Sequence, residues 1–434
     1  MNPFTSLLAN NNSVTTSLLH TLPDEGNYIE YDSAQIFTDA NYNVIVLSSF
    51  GSSSGQDERA LLFVSDGKAW VNSESVSPRY SIWHGMVNNG IFQAYVLDIP
   101  QIKERSHVQK VFIYGLTKDT RLNSKPAHII EMDEKKKVFK QEESRIITKV
   151  LPLQGDPNKF FLAGYYVEHS SNPLDFIRRV TSGGHWGFVT KPFLARVDQD
   201  RITEYYTTSN RLEINENSGE IGTFLAKGAK IHQVGIKHRE YSDDSPVVQY
   251  SHFDVFKSHW TEPVELFKGC NRSEEVSDTF STPCLAYYNG DIYCVWSWTV
   301  IDTATNERTA RPKESGIYFC NRTDGRWNNA TKIADSGFLP RVIVNKTGTV
   351  FVFWIEENTG VVYKRWLDNK WSKIYLAAKA STIRGKELGV PGSASPPFDV
   401  VVDRSNNFHI VYVLAEHPEK LVYTTLTSTE NRDM

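Results

Sequence analysis

One short phrase recurs along this chain, altered at each return, and it limits the fold more than any other feature. A tight polar turn runs into a Trp: Asp66-Gly67-Lys68-Ala69-Trp70, Ser258-His259-Trp260-Thr261, Asp324-Gly325-Arg326-Trp327 and Asp368-Asn369-Lys370-Trp371-Ser372. An apolar strand precedes each copy, over Ala60 to Val64, Val247 to Phe256, Gly316 to Phe319 and Val361 to Trp366. Self-similarity of this kind marks a repeat architecture, in which each unit buries its apolar faces only by packing on its neighbours. Each unit here reads as a small antiparallel sheet with a Trp after its third strand.

Helical periodicity is nearly absent. Short apolar runs bounded by Gly, Asn, Asp and Pro fill the chain instead. The recurring pair is an inner strand, a tight polar turn and a strongly β-prone second strand. Ala34 to Phe37 turns into Val44 to Leu47, Ser81 to Val87 into Ile91 to Leu97, and Ile146 to Leu153 into Phe160 to Val167. Cys284 to Tyr288 turns at Asn289-Gly290 into Ile292 to Trp298, Arg341 to Val344 into Val350 to Ile355, and Phe398 to Val402 into Phe408 to Val413. A less regular pair is Thr223 to Gly228 with Lys230 to Ile236. Seven units of roughly 45 to 70 residues, each with three or four strands, imply an all-β, seven-bladed β-propeller. The spacing predicts one domain over residues 1–434, with blades at 23–75, 76–141, 142–209, 210–268, 269–335, 336–378 and 379–434. The last unit ends after its third strand, Leu421 to Leu426. The orphan strand Ser13 to Leu22 is expected to supply the fourth and close the ring.

The bulk properties exclude several classes. The net charge is -4, without the basic excess of a general nucleic-acid binder. No stretch is apolar for the roughly 18 residues of a membrane span, so no membrane insertion is expected. Met1 to His20 is polar and lacks a leader pattern, so the chain reads as cytoplasmic or as a secreted protein whose signal has been removed. Cys270, Cys284, Cys294 and Cys320 match no zinc spacing. Cys284 and Cys294 flank a two-residue turn and point to opposite faces. Cys294 and Cys320 lie on adjacent strands, where a disulfide and buried free thiols both remain open. The histidines are scattered, and no metal or cofactor is expected.

Pro, an apolar strand, Asp/Asn-x-x-Gly, an aromatic strand and Asp-Gly-x-Trp-Ser together resemble the sialidase-like propellers with bacterial neuraminidase repeats, or Asp-boxes. Ser281 to Ala334 and Phe338 to Leu376 carry the resemblance best. The full box reads Ser-x-Asp-x-Gly-x-x-Trp; Ser65 to Trp70 and Thr323 to Trp327 lack the residue between Asp and Gly. Sialidases of this family also carry a Phe-Arg-Ile-Pro-like entry and three carboxylate-binding arginines. Here Arg341, after Leu339-Pro340, is the single match, so the resemblance implies the scaffold rather than classical sialidase activity. It further implies that ligands bind on the face where inner strands begin and second strands end. In outline the chain is also similar to polysaccharide lyases built on seven-bladed propellers.

Long insertions at Ile99 to Gln109, Glu168 to Thr190, Glu240 to Pro246, Trp298 to Glu314 and Lys379 to Pro397 mostly follow second strands and so crowd that face. The densest chemistry is Tyr165-Tyr166-Val167-Glu168-His169, followed by Gly183-Gly184-His185-Trp186. Elimination on a uronic acid needs a Tyr or His base and an Arg or His to neutralise the substrate carboxylate. Tyr80, His84, His169 and Arg239 suit those catalytic roles. Aromatic faces receive sugar rings and polar groups their hydroxyls or carboxylates. Arg79, Tyr165, Tyr166, Glu168, His185, Trp186, His232, Arg341 and Glu356 are the expected substrate contacts. Hydrolysis by a carboxylate pair such as Glu168 and Glu356 stays open beside elimination. So does a core role for His84, His232, Trp296, Trp298 and Trp354. The sequence therefore describes a propeller that binds a glycan or polysaccharide on its loop-rich face, with cleavage unresolved. A non-catalytic protein-interaction scaffold is the alternative.

Overall fold

The runs Val44 to Leu47 (VIVL) and Val350 to Ile355 (VFVFWI) are apolar at every position, as strands buried on both faces must be. The computed structural model meets that demand with a seven-bladed β-propeller, a ring of seven antiparallel units. It describes residues 14–22, 29–31, 33–41, 43–52, 58–65, 69–76, 81–98, 110–117, 121–131, 145–153, 159–167, 189–208, 212–213, 222–237, 245, 247–269, 276–281, 283–302, 309–310, 314–379, 398–414 and 416–427.

The inner strands of blades one to seven are Gln35–Thr38, Ser81–Asn88, Arg145–Pro152, Gly222–Lys227, Cys284–Tyr288, Phe338–Val344 and Phe398–Val402. Each touches the next around the ring, and the last touches the first. Alternate side chains of a strand point to opposite faces, so each blade feeds two cores. Accordingly there are seven apolar clusters among the described residues, one per junction. Val46 and Phe63 pack against blade seven, while Ile45, Leu47 and Leu62 pack against blade two. Trp296 and Trp298 lie in the core between blades four and five, and Trp354 between five and six. A short strand, Leu212–Glu213, pairs with Val189 and Thr190 of blade three and with Lys237 of blade four, joining two blades into one sheet.

The recurring phrase is the turn from third to fourth strand. Its Trp faces the end of the third strand in four blades: Ser65 opposite Trp70, Phe253 opposite Trp260, Arg322 opposite Trp327 and Trp366 opposite Trp371. Asp324-Gly325 and Asp368-Asn369 take positive φ at both central positions, the conformation that a two-residue hairpin needs. At three junctions the Trp meets an aromatic ring of the preceding blade edge-on: Trp70 on Tyr423, Trp327 on Tyr250 and Trp371 on Phe319, each with centroids 4.9 Å apart.

Closure follows the expectation. Val14–Thr21 pairs antiparallel with Lys420–Leu426, giving the last blade its fourth strand from the other end of the chain.

Candidate functional site

An inner strand is the edge of its own sheet, and its free N–H and C=O groups need partners. Pairing with the second strands aligns one residue per blade in a common row about the axis. These residues are Gln35, His84, Lys149, Thr223, Cys284, Arg341 and Asp399, opposite Leu47, Tyr95, Ala163, Val234, Val295, Phe353 and Val411. The third strands confirm the alignment. On the same row they carry Leu62, Tyr250, Phe319 and Tyr363, each three residues before the one that faces a Trp of the turns.

This row stitches the ring together. The Gln35 amide donates to Trp83 O at 3.0 Å and accepts from Gly85 N at 3.1 Å. Lys149 Nζ donates to Phe224 O at 3.0 Å, and Thr223 Oγ1 to Pro283 O at 2.6 Å. Ile36 N donates to Asp399 Oδ2 at 3.1 Å, and Arg341 Nε lies 3.9 Å from Asp399 Oδ1. Each of these contacts crosses from one blade to the next.

Two of the row's cations owe their place to bulges. The register between inner and second strand shifts between Ile147 and Lys149, and again between Phe338 and Arg341. A bulge adds one residue and re-aims the side chain that follows it. The Arg341 and Asp399 side chains keep 14% and 26% of their exposure, unlike the sealed apolar residues around them. Asp399 is the second residue of its strand and stands close to the face where inner strands begin. Burial raises its carboxyl above the usual range, against the pull of Arg341, the backbone N–H groups of Ile36 and Val400, and Lys149. Burial, then Lys149, pushes His84 down to about 3, so it is neutral. Its ring stacks on Tyr95 at 5.2 Å. Two cations and one carboxylate leave the row with a formal excess of positive charge.

The face above the row is where the chain leaves the second strands at Asp98, Val167, Lys237 and Asp302. Glu356 ends a second strand on this face. It accepts from Ser336 Oγ at 2.5 Å and from Trp354 Nε1 at 3.0 Å, which ties the carboxylate to its own blade.

Of the residues expected to bind or react, His84 and Arg341 fall on the row. Tyr165 is fully buried and packs on Phe224 at 5.3 Å, in the junction of blades three and four. His232 is buried between blades four and five, with Nδ1 2.7 Å from the Tyr250 hydroxyl. Burial first, then His252, Lys230 and Arg322, push it down to about 3. Packing between blades thus engages both rings that were expected at a ligand. Tyr166 pairs with Arg145 and Lys191 along its strand. Arg79, Tyr80, Glu168, His169, His185, Trp186 and Arg239 lie outside the described residues. Lys149, Asp399 and Gln35 were missed. Their signal is a polar residue inside an apolar inner strand, as in RIITKVLP, FDVVV and QIFT.

Cys284, Cys294 and Cys320 are free thiols, although Cys294 stands directly opposite Cys320. Burial and the neighbouring thiols raise Cys294 well above the usual range. Among the described residues no group of three or more His, Cys, Asp or Glu is placed to hold a metal ion, and no helix is long and apolar enough to cross a membrane.

No protein-family model matches the chain, and no curated protein matches it. Similar solved structures, all at low identity, include carbohydrate-active enzymes and also the β-propeller domain of the Trilobed protease from Pyrococcus furiosus, 12% identical with a TM-score of 0.44, covering 89% of this chain and 93% of its own. The alpha-L-arabinanase of Penicillium chrysogenum, complexed with arabinobiose, is 10% identical with a TM-score of 0.47, covering 97% of this chain and 99% of its own. The endosialidase of phage phi92 is 12% identical with a TM-score of 0.44, covering 98% of this chain and 70% of its own. A PL25 ulvan lyase is 13% identical with a TM-score of 0.42, covering 76% and 77%.

Proposed function

We propose that this chain recognises an acidic carbohydrate where the axial row opens beneath the insertion-bearing face. One observation carries the reading: bulges bring Lys149 and Arg341 to the row against a single carboxylate, Asp399. A guanidinium and an ammonium in excess attract the carboxylate of a uronic or sialic sugar, and Arg binds it through two parallel hydrogen bonds. His84 is sealed and neutral, so it shapes the row instead of exchanging protons with a ligand. Tyr80, His169 and Arg239 remain our candidates for an elimination step. Arg79, Tyr166, Glu168, His185 and Trp186 remain our candidates for contacts along the polymer. Descent of the Trp turns from Asp-boxes belongs to the same proposal.

The test is retention on polygalacturonate, alginate, hyaluronan and polysialic acid beside neutral polymers, with ultraviolet absorbance followed for unsaturated uronates. Acidic polymers should be retained and neutral ones not. Arg341→Ala should weaken retention about tenfold, the worth of one charge-assisted pair. Growing absorbance adds cleavage by elimination; retention without product makes the propeller a lectin. Equal indifference to every acidic polymer overturns the proposal in favour of a protein-interaction scaffold.

A further inference from the structure

The groove between blades three and four opens where the repeat departs from its own pattern. At three junctions the Trp of the turn meets an aromatic ring from the preceding blade. Trp260 instead shares its cluster with Leu194, the third-strand residue on the equivalent row of blade three. Its own aromatic neighbour is Phe253 at 5.6 Å, which in turn lies 4.6 Å from Tyr206.

Beside this indole is a groove of about 340 Å³. One wall is Tyr205 to Thr208, at the end of the outer strand of blade three; the other is Ser258 to Glu262, the turn of blade four. Trp260 is 7% exposed, and its indole N–H, sealed from solvent, has no acceptor among the described residues.

The lining defines the ligand. Tyr and Trp rings offer flat apolar surfaces, Thr and Ser hydroxyls donate and accept, and Glu262 accepts. Neither Lys nor Arg lines the groove among the described residues. Glu262 opposes a carboxylate or phosphate, with His259 the one lining side chain able to offset it, whereas a neutral sugar presents C–H faces to the rings and hydroxyls to the polar wall. The volume is at the small end for a ligand pocket. We propose that this groove is a second carbohydrate site, away from the axial row, that takes one or two units of a neutral saccharide.

The site predicts a ligand class opposite in charge to that of the axial row. Saturation-transfer NMR of the full chain with maltose, cellobiose, lactose and xylobiose tests it. At least one should bind saturably at millimolar concentration. Tyr206→Ala and Glu262→Ala, both lining the groove, should each weaken it about tenfold. If the half-buried Tyr206 variant does not fold, the exposed Glu262 variant still decides. Absence of binding by all four disaccharides, or binding unchanged in both wall variants, overturns the proposal. The neutral panel shares no ligand with the acidic polymers, so failure of one proposal leaves the other standing.

Discussion

Two histidines show how burial sets chemistry in this ring. His84 and His232 are both held near 3, chiefly by desolvation. In the unfolded chain each titrates near 6.5. Below that value the unfolded state takes up protons that the native state refuses, so stability is complete above it and falls as pH falls. Between about pH 7 and about pH 5 the loss is roughly 2 kcal/mol for each residue. We expect the urea midpoint to drop over that interval, and His232→Phe, which keeps a ring in place, to shrink the drop. A midpoint unchanged between the two pH values would contradict the assignment. From sequence, His84 and His232 stood open between catalysis and core. Both imidazoles are buried in the fold, as a core role expects.

Strands and turns were the most legible level, and the axial row the least. Asn89-Gly90 and Asn289-Gly290 announce themselves because both central residues must adopt positive φ, as they do. The apolar runs fixed the second strands for the same kind of local reason. Lys149 could not be read so, because it follows a bulge, and Arg341, which follows another, was reached only through the family resemblance. One added residue turns the next side chain to the other face without altering composition. The density of His and Tyr drew attention to Tyr165 and His232, whose periodicity could not tell an inter-blade core from a ligand wall. The segment before Arg341 also makes a prediction of its own. Gly337 has φ of +113, and a Cβ there would strike Trp354 Cδ1. Trp354 is fully buried, so it has no room to retreat. Gly337→Ala should cost about 2–3 kcal/mol through strain and overpacking together, read as a lower urea midpoint. An unchanged midpoint would mean that the turn relaxes freely.

For the whole molecule, the decisive contact is the one between the two ends of the chain. Deleting residues 1–21 removes Val14–Thr21 and leaves Lys420–Leu426 as a bare edge. Such an edge invites pairing with other chains. We expect a melting midpoint lower by about 5 °C or more, and concentration-dependent aggregation that light scattering detects. A monodisperse truncation with an unchanged midpoint would show that the ring closes without this strand. The same contact orders events during synthesis. Among the described strands, the earliest to be synthesised is the last to find its partner, because Leu426 must emerge before Val14 can pair with it. Until then the chain carries an unmatched strand at its leading end and, once Leu426 has emerged, a complementary gap at its trailing end. Crowded nascent copies could satisfy one another by exchanging these ends, turning a closed ring into linked chains. Dilution, or a chaperone that shields Val14–Thr21, would favour the solitary ring.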